Sequence, residues 1–208
     1  MKSHWNNRYS NHTAAYGDRP NVFFAEQLSK LNNKDNSKSI LLPCDGEGRN
    51  GVYAAKEGWN VMSFDESEVG VIKSLSWAKR AKVSITSIVA DAFKYIPEER
   101  FDVLVLIFAH MPEDMREEFH ERVISWIKPG GILILEGFHK DQLGLGSGGP
   151  KNLGMLYNEV MIRGDFKELN IEILERAEHI LDEGPFHQGR AITMQLVARK
   201  PLNEEQAS

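Results

Sequence analysis

A chain of 208 residues with 41% hydrophobic content can bury a full core, and its formal net charge of −5 argues against a broad phosphate-tracking surface, so no nucleic acid is expected as a partner. The apolar runs are strand-sized, well short of the ~20 residues a membrane helix needs, and the polar start MKSHWNNRYSNH lacks the apolar core of a signal peptide, so no membrane association is expected. The single cysteine excludes an internal disulfide, and these features together predict a cytoplasmic protein.

Residues 3–31 read as helical and predict a cap over the rest of the fold. Pro20 suits a first helical turn. Phe23, Phe24, Gln27, Leu28 and Leu31 then place mostly apolar groups on one face. A polar linker, NNKDNS over 32–37, follows.

Residues 39–66, SILLPCDGEGRNGVYAAKEGWNVMSFDE, read as strand, turn, helix, strand, acid. The run 39–43 is apolar enough for a buried strand. Gly46 and Gly48 form a turn that lets the backbone approach a ligand closely, since glycine has no Cβ; the plainer reading is an ordinary turn. Residues 49–57 read as a helix stopped by Gly58. Arg49 and Asn50 stand at its N-terminus, where main-chain amides suit a carboxylate. The next strand, 60–64, ends at Asp65 and Glu66. In open parallel sheets, ligands bind beyond the carboxyl ends of the strands. An acid there is placed for a ribose diol, while a helix N-cap for 67–82 is the competing role of Asp65.

The pattern repeats along the chain. A third strand, 85–90, closes on Asp91-Ala92, which an Asx-type turn also explains. A fourth, FDVLVLIF over 101–108, is continuously apolar, as a strand covered on both faces would be. His110 follows it at the same edge of the sheet. Residues 113–127 form an amphipathic helix with Met115, Phe119, Val123 and Trp126 inward. KPGG then leads into a fifth strand, 132–136. The glycine-rich stretch 144–154 lies after that strand, on the ligand side, and reads as a mobile lid. A helix over 156–169 is interrupted near Gly164. The segments 171–181 and 191–199 read as an antiparallel hairpin whose turn carries His187 and Arg190, a polar composition that ordinary hairpin turns share. The alternation of strands and helices predicts a βαβ sheet with right-handed crossovers. No HxxxH, CxxC or clustered carboxylates suggest a metal site.

In order and spacing, GEGRN, the acid after strand two, VADA, FDVLVLIF and KPGG resemble the class I S-adenosylmethionine-dependent methyltransferases. The GEGRN form and the opening, with Trp5, Arg8-Tyr9, Tyr16-Gly17 and Pro20-Asn21, are similar to the branch containing tellurite-resistance and thiopurine methyltransferases. The resemblance covers nearly the whole chain. It implies an α/β, three-layer Rossmann-like fold, with a mostly parallel seven-stranded sheet ending in an antiparallel hairpin. The domain would span 1–208, with 1–35 as its helical cap. It implies S-adenosyl-L-methionine as cofactor, S-adenosyl-L-homocysteine as product and a small-molecule methyl acceptor.

Carried over residue by residue, the resemblance implies a cofactor site of Cys44, Asp45, Gly46, Gly48, Arg49, Asn50, Asp65, Glu66, Asp91, Ala92, Ile107 and Phe108. Asp91 would accept from the adenine amino group and the Ala92 amide would donate to the ring. The pattern also departs from the family: Leu42 stands where an acid is usual and Cys44 where the first glycine is, leaving Asp45 as the replacement carboxylate. Cys44 itself reads as a packing residue rather than a nucleophile. For catalysis the candidates are His110 and His187 as bases and Arg190 as an acceptor contact. Two other readings stay open: a non-catalytic nucleotide- or cofactor-binding module, and an NAD-type Rossmann oxidoreductase, which GEG in place of GxGxxG disfavours.

Overall fold

Two N-terminal helices, α1 (Lys2–Ser10) and α2 (Val22–Ser29), precede the first strand, β1 (Ser39–Pro43). There follow α3 (Arg49–Lys56), β2 (Asn60–Asp65), α4 (Glu68–Ala81), β3 (Thr86–Val89), β4 (Phe101–Ile107), α5 (Arg116–Ser125), β5 (Ile127–Phe138), α6 (Glu159–Asp165), β6 (Asn170–Asp182) and β7 (Gln188–Arg199). This computed structural model describes residues 2–31 and 37–202; most of the polar linker, 32–36, and the tail, 203–208, lie outside the described residues.

The strands form one seven-stranded sheet in the order β3-β2-β1-β4-β5-β7-β6. β1 to β5 run parallel, and β7 joins antiparallel to both β5 and β6. The fold is thus the α/β Rossmann-like methyltransferase architecture, with the antiparallel pair where a dinucleotide dehydrogenase would continue in parallel. The centre is dry. Ile40, Leu41 and Leu42 of β1 and Leu104, Val105 and Leu106 of β4 are all buried, which is why both read as unbroken apolar runs. One apolar cluster packs under α5 and α6 around Phe119, Trp126 and Phe166, and the other lies under α2 and α3 around Phe24, Ala54 and Trp59.

Some boundaries differ from the sequence pattern. The cap is two helices separated by a loop. Asn21 is the N-cap of α2, its side chain accepting from Phe24 N, so Pro20 stands ahead of the helix. β5 begins at Ile127, because Ile127 pairs with Phe101 before a bulge lets the chain resume at Ile132. Ser67, not Asp65, caps α4 by accepting from Gly70 N.

The N-terminal segment is fastened at two places. Lys73 of α4 donates to the carbonyls of Tyr9 and His12 and pairs with Glu47 at 2.8 Å, while Glu47 also accepts from Ala15 N at 2.7 Å. At the second, Gly17 passes against Gly184 in the β6–β7 turn, so closely that a Cβ on Gly184 would stand 2.9 Å from the Ala15 carbonyl oxygen. Arg19 and Asp182 close the seam at the surface, 2.6 Å apart.

Candidate active site

A cavity opens at the carboxyl ends of β1, β2 and β4. Its floor includes Cys44, Asp45 and Gly46 after β1, Asp65 and Glu66 after β2, and Ile107 and Phe108 after β4. The Asp91-Ala92 turn after β3 closes one side, and Arg49 and Asn50 bring the first turn of α3 to its edge. Trp5, Tyr9 and Tyr16 from the N-terminal segment roof it. Sequence reading had marked those aromatics as part of the resemblance but not of the site.

Asp65 is 6% exposed, and both its oxygens are held by main chain: Oδ2 accepts from Gly46 N at 3.0 Å and Oδ1 from Ser67 N at 2.8 Å. Burial pushes its pKa up to about 6 against those two hydrogen bonds. Asp45 is pushed further, to about 7, again by burial, although Gly51 N donates to it at 3.1 Å. The cavity therefore holds carboxylates that are costly to ionise alone and that a cationic ligand would favour.

Two residues lining it have left-handed backbones that side chains rarely adopt, Cys44 at φ 58° and Phe108 at φ 53°. Such conformations cost about 1–3 kcal/mol and collect at functional sites. Cys44 thus holds a backbone geometry that glycine ordinarily supplies. Burial, then the acids around it, push its thiol pKa well up, so it is a packing group in a tight turn.

Gly46 and Gly48 separate in role. At Gly46 a Cβ would stand 2.5 Å from the Tyr9 hydroxyl, beside the cavity. Gly48 is not a lining residue. It is the N-cap of α3 at φ 87°, and a Cβ there would collide with Ser74 of α4, whose Cα would be 2.9 Å away. The expected cofactor-approach glycine is a helix-packing glycine.

Asp91 lines the cavity as an Asx turn, Oδ1 accepting from Phe93 N at 2.9 Å. Asn50 accepts from Asn21 N at 2.9 Å and so ties α3 to the cap of α2. Arg49 is neither solvated nor free for a ligand carboxylate: it is buried and paired with Glu183 of the β6–β7 turn at 2.8 Å.

The three catalytic candidates fare differently. His187 lines the cavity, with Nδ1 3.3 Å from Glu183 Oε2. His110 also reaches the edge, but both ring nitrogens are used. Nδ1 lies 2.7 Å from the Met155 carbonyl, and Nε2 accepts from Phe138 N at 2.9 Å. Burial takes its pKa down to about 4. With no lone pair left over, His110 is a structural histidine and not a base. Arg190 is on the solvent face of β7, paired with Glu178 at 2.6 Å, and does not line the cavity. The glycine-rich stretch 144–154 is not poised over the cavity either: Gly148 and Gly149 pack on Phe138 and His187 from behind, and Ser147 donates to the Arg190 carbonyl.

Glu183 went unnoticed in sequence, although it and His187 are four residues apart in one short turn. Among the described residues, no group of three or more histidine, cysteine, aspartate or glutamate side chains is arranged to hold a metal ion, and no helix is long and apolar enough to cross a membrane.

Residues 40–131 match the methyltransferase-domain family. No curated protein matches the chain. Among solved structures, a protein studied for the conversion of a disulfide bond into a thioacetal group during echinomycin biosynthesis superposes with a TM-score of 0.79 at 15% identity, covering 100% of this chain and 94% of that one. TehB from Haemophilus influenzae gives 0.69 at 16% identity, over 96% of this chain and 66% of its own. The N-methyltransferase NodS from Bradyrhizobium japonicum, in complex with S-adenosyl-L-homocysteine, gives 0.67 at 16% identity, over 96% and 98%.

Proposed function

We propose that this chain, whose fold is that of class I methyltransferases and whose residues 40–131 match a methyltransferase-domain family, transfers a methyl group from S-adenosylmethionine to a small-molecule acceptor. It does so as one domain over 1–208, with 1–35 as the cap and with cytoplasmic residence. The observation that carries the reading is Asp65: a buried carboxylate at the carboxyl end of β2, fixed by two main-chain N–H groups on the wall of the cavity.

The residues present fit the cofactor. Asp45, Asp65, Glu66 and Asp91 line the cavity, Glu47 there is already paired with Lys73, and among the described residues the one lining arginine is paired with Glu183, so the lining favours a cationic ligand bearing a diol. At Gly46 a Cβ would run into the Tyr9 hydroxyl, 2.5 Å away, so glycine is what lets Tyr9 close over this turn at the cavity's edge. Asp65 and Glu66 would hold the ribose, Asp91 and the Ala92 amide the adenine, and Asp45 with the first turn of α3 the methionine end. When bound, the cofactor supplies an electrophilic methyl on a sulfonium and leaves as S-adenosylhomocysteine. The protein's own part is to orient the acceptor and exclude water, which Trp5, Tyr9 and Tyr16 do from above; such positioning is worth ~7–11 kcal/mol.

Calorimetric titration tests the reading. Heat with adenosylmethionine and adenosylhomocysteine, and none with NAD, is expected. No binding of either adenosyl ligand would overturn it.

A further inference from the structure

Which acceptor the site suits is written in the charges around His187. Its ring is wedged among Tyr16, Phe108 and Phe138, with centroids 4.6, 4.5 and 5.2 Å away. Glu183 faces Nδ1 and also accepts from Arg49 at 2.8 Å and Asn21 Nδ2 at 3.2 Å. Burial opposes ionisation of Glu183, but the bond to His187 and the Arg49 charge outweigh it and hold its pKa down at about 2. An ionised carboxylate only accepts. The ring proton therefore sits on Nδ1, and Nε2 keeps its lone pair. No group among the described residues hydrogen-bonds to Nε2 of this cavity-lining ring.

The cations nearby are committed. Arg49 is held by Glu183. The Arg8 guanidinium lies 4.3 Å over the Phe186 ring and donates to the Tyr16 hydroxyl. Among the described residues, an anionic acceptor would find no unpaired positive side chain on this wall, only rings.

We infer that Glu183 is a positioning residue that fixes His187 with its Nε2 lone pair toward the cavity, and that Nε2 takes the proton from a neutral O–H or S–H acceptor carried on a flat apolar body. The inference rests on the methyl-transfer reading above. The acceptor's lone pair forms the new bond to the methyl carbon while the C–S electrons return to sulfur, giving a neutral thioether. The proton of the acceptor passes to Nε2, and the resulting imidazolium is balanced by Glu183. Arg49 keeps that carboxylate ionised throughout.

Other groups face the ring: Arg8 from α1, Tyr16 from the cap loop, Arg49 from α3 and His110 after β4. Burial, followed by the two arginines, lowers the His187 pKa, and Glu183 pulls it back only in part. The ring is therefore neutral and able to accept a proton at neutral pH.

Two arms test this on the full chain. Nitrogen-15 correlation spectra of the imidazoles should show His187 as the Nδ1–H tautomer, and Glu183→Gln should lower its titration midpoint by about one pH unit or more, the scale of losing an adjacent opposite charge. An Nε2–H tautomer, or a midpoint that Glu183→Gln leaves in place, overturns the inference whether or not any acceptor turns over. The second arm compares 4-methylphenol, neutral at pH 7, with 4-nitrothiophenol, already ionised. His187→Ala should slow methylation of the first by roughly 10²–10⁴-fold and of the second only a few-fold. Equal losses on both, or wild-type turnover of the ionised probe alone, overturn it. Wild-type titration with adenosylmethionine is the separate control: no binding sinks the methyl-transfer reading, whereas binding beside an unresponsive His187 sinks only the relay.

Discussion

The Phe138 main-chain N–H donates to Nε2 of His110 at 2.9 Å, while the ring's other nitrogen sits 2.7 Å from the Met155 carbonyl. The imidazole thus bridges the end of β5 to the segment before α6. His110→Ala should strand both main-chain groups and lower stability by about 2–6 kcal/mol, at ~1–3 kcal/mol per buried unpaired group. The pH sign follows from the shift. The folded pKa, about 4, lies below the usual 6.5, so the unfolded chain takes up the proton first. His110's contribution is complete above pH 6.5 and is lost as pH falls toward 4. Denaturant melts should show the gap between wild type and variant narrowing over that window; a constant gap would contradict the assignment.

Asp65→Ala should weaken adenosylmethionine binding by roughly 1.5–3 kcal/mol, the scale of hydrogen bonds to a charged group. The variant also leaves Gly46 N and Ser67 N without their acceptor, so calorimetry should be paired with a melting curve. Unchanged affinity in a folded variant would reduce Asp65 to a fastener of the turn.

Cofactor affinity should depend on pH through the same acids. In the free protein Asp45 and Asp65 hold protons up to about 7 and about 6. A cationic ligand favours their ionised forms, so binding releases protons. Affinity should rise from pH 5 to 7 and level off above. Titrations in buffers of different ionisation enthalpy would measure the release, and a flat profile would show that neither acid meets the cationic part of the ligand.

The two turn glycines make a paired test. Gly48→Ala meets the Ser74 backbone and a left-handed φ, which costs ~1–2 kcal/mol for a residue with a side chain, and should lower the melting temperature clearly. Gly46→Ala carries the same left-handed strain, at φ 56°, but meets the Tyr9 side chain rather than backbone, so it should lower the melting temperature less than Gly48→Ala and weaken ligand binding more. The reverse ranking would mean that Gly48, not Gly46, is the cradle.

Arg190→Ala should change neither turnover nor melting temperature, since its partner Glu178 is another surface group on the neighbouring strand. A marked kinetic effect, measured with either probe acceptor, would bring Arg190 back to the site.

What the sequence disclosed was local. The strands of the parallel half were legible because unbroken runs such as SILLP and FDVLVLI are what doubly covered strands look like, and Asp65 was legible because it ends one of them. The misreadings concern direction and distance. Strand alternation sends Arg190 outward and Ala191 inward, yet a turn motif read as one unit hides that parity. His110 looked like an active-edge residue because Phe138 and Met155, which occupy its nitrogens, come from 28 and 45 residues away. The pairing of Arg49 with Glu183 joins α3 to the last hairpin across 134 residues, and no spacing rule reaches so far.

The close passage of Gly17 against Gly184 has a bearing on how the protein is made. The roof of the cavity leaves the ribosome well before the surface it rests on, the β6–β7 turn with His187. A nascent chain can pair β1, β2 and β4 and shape the adenosine side early. Until the β6–β7 turn emerges, the segment bearing Trp5, Tyr9 and Tyr16 is held from the side of α4, by Lys73, by Glu47 and by the hydrogen bond from Ser67 to Asn6. A chamber able to exclude water therefore closes only after the β6–β7 turn has emerged, and a ligand bound to a shorter nascent chain would face solvent on its reactive side.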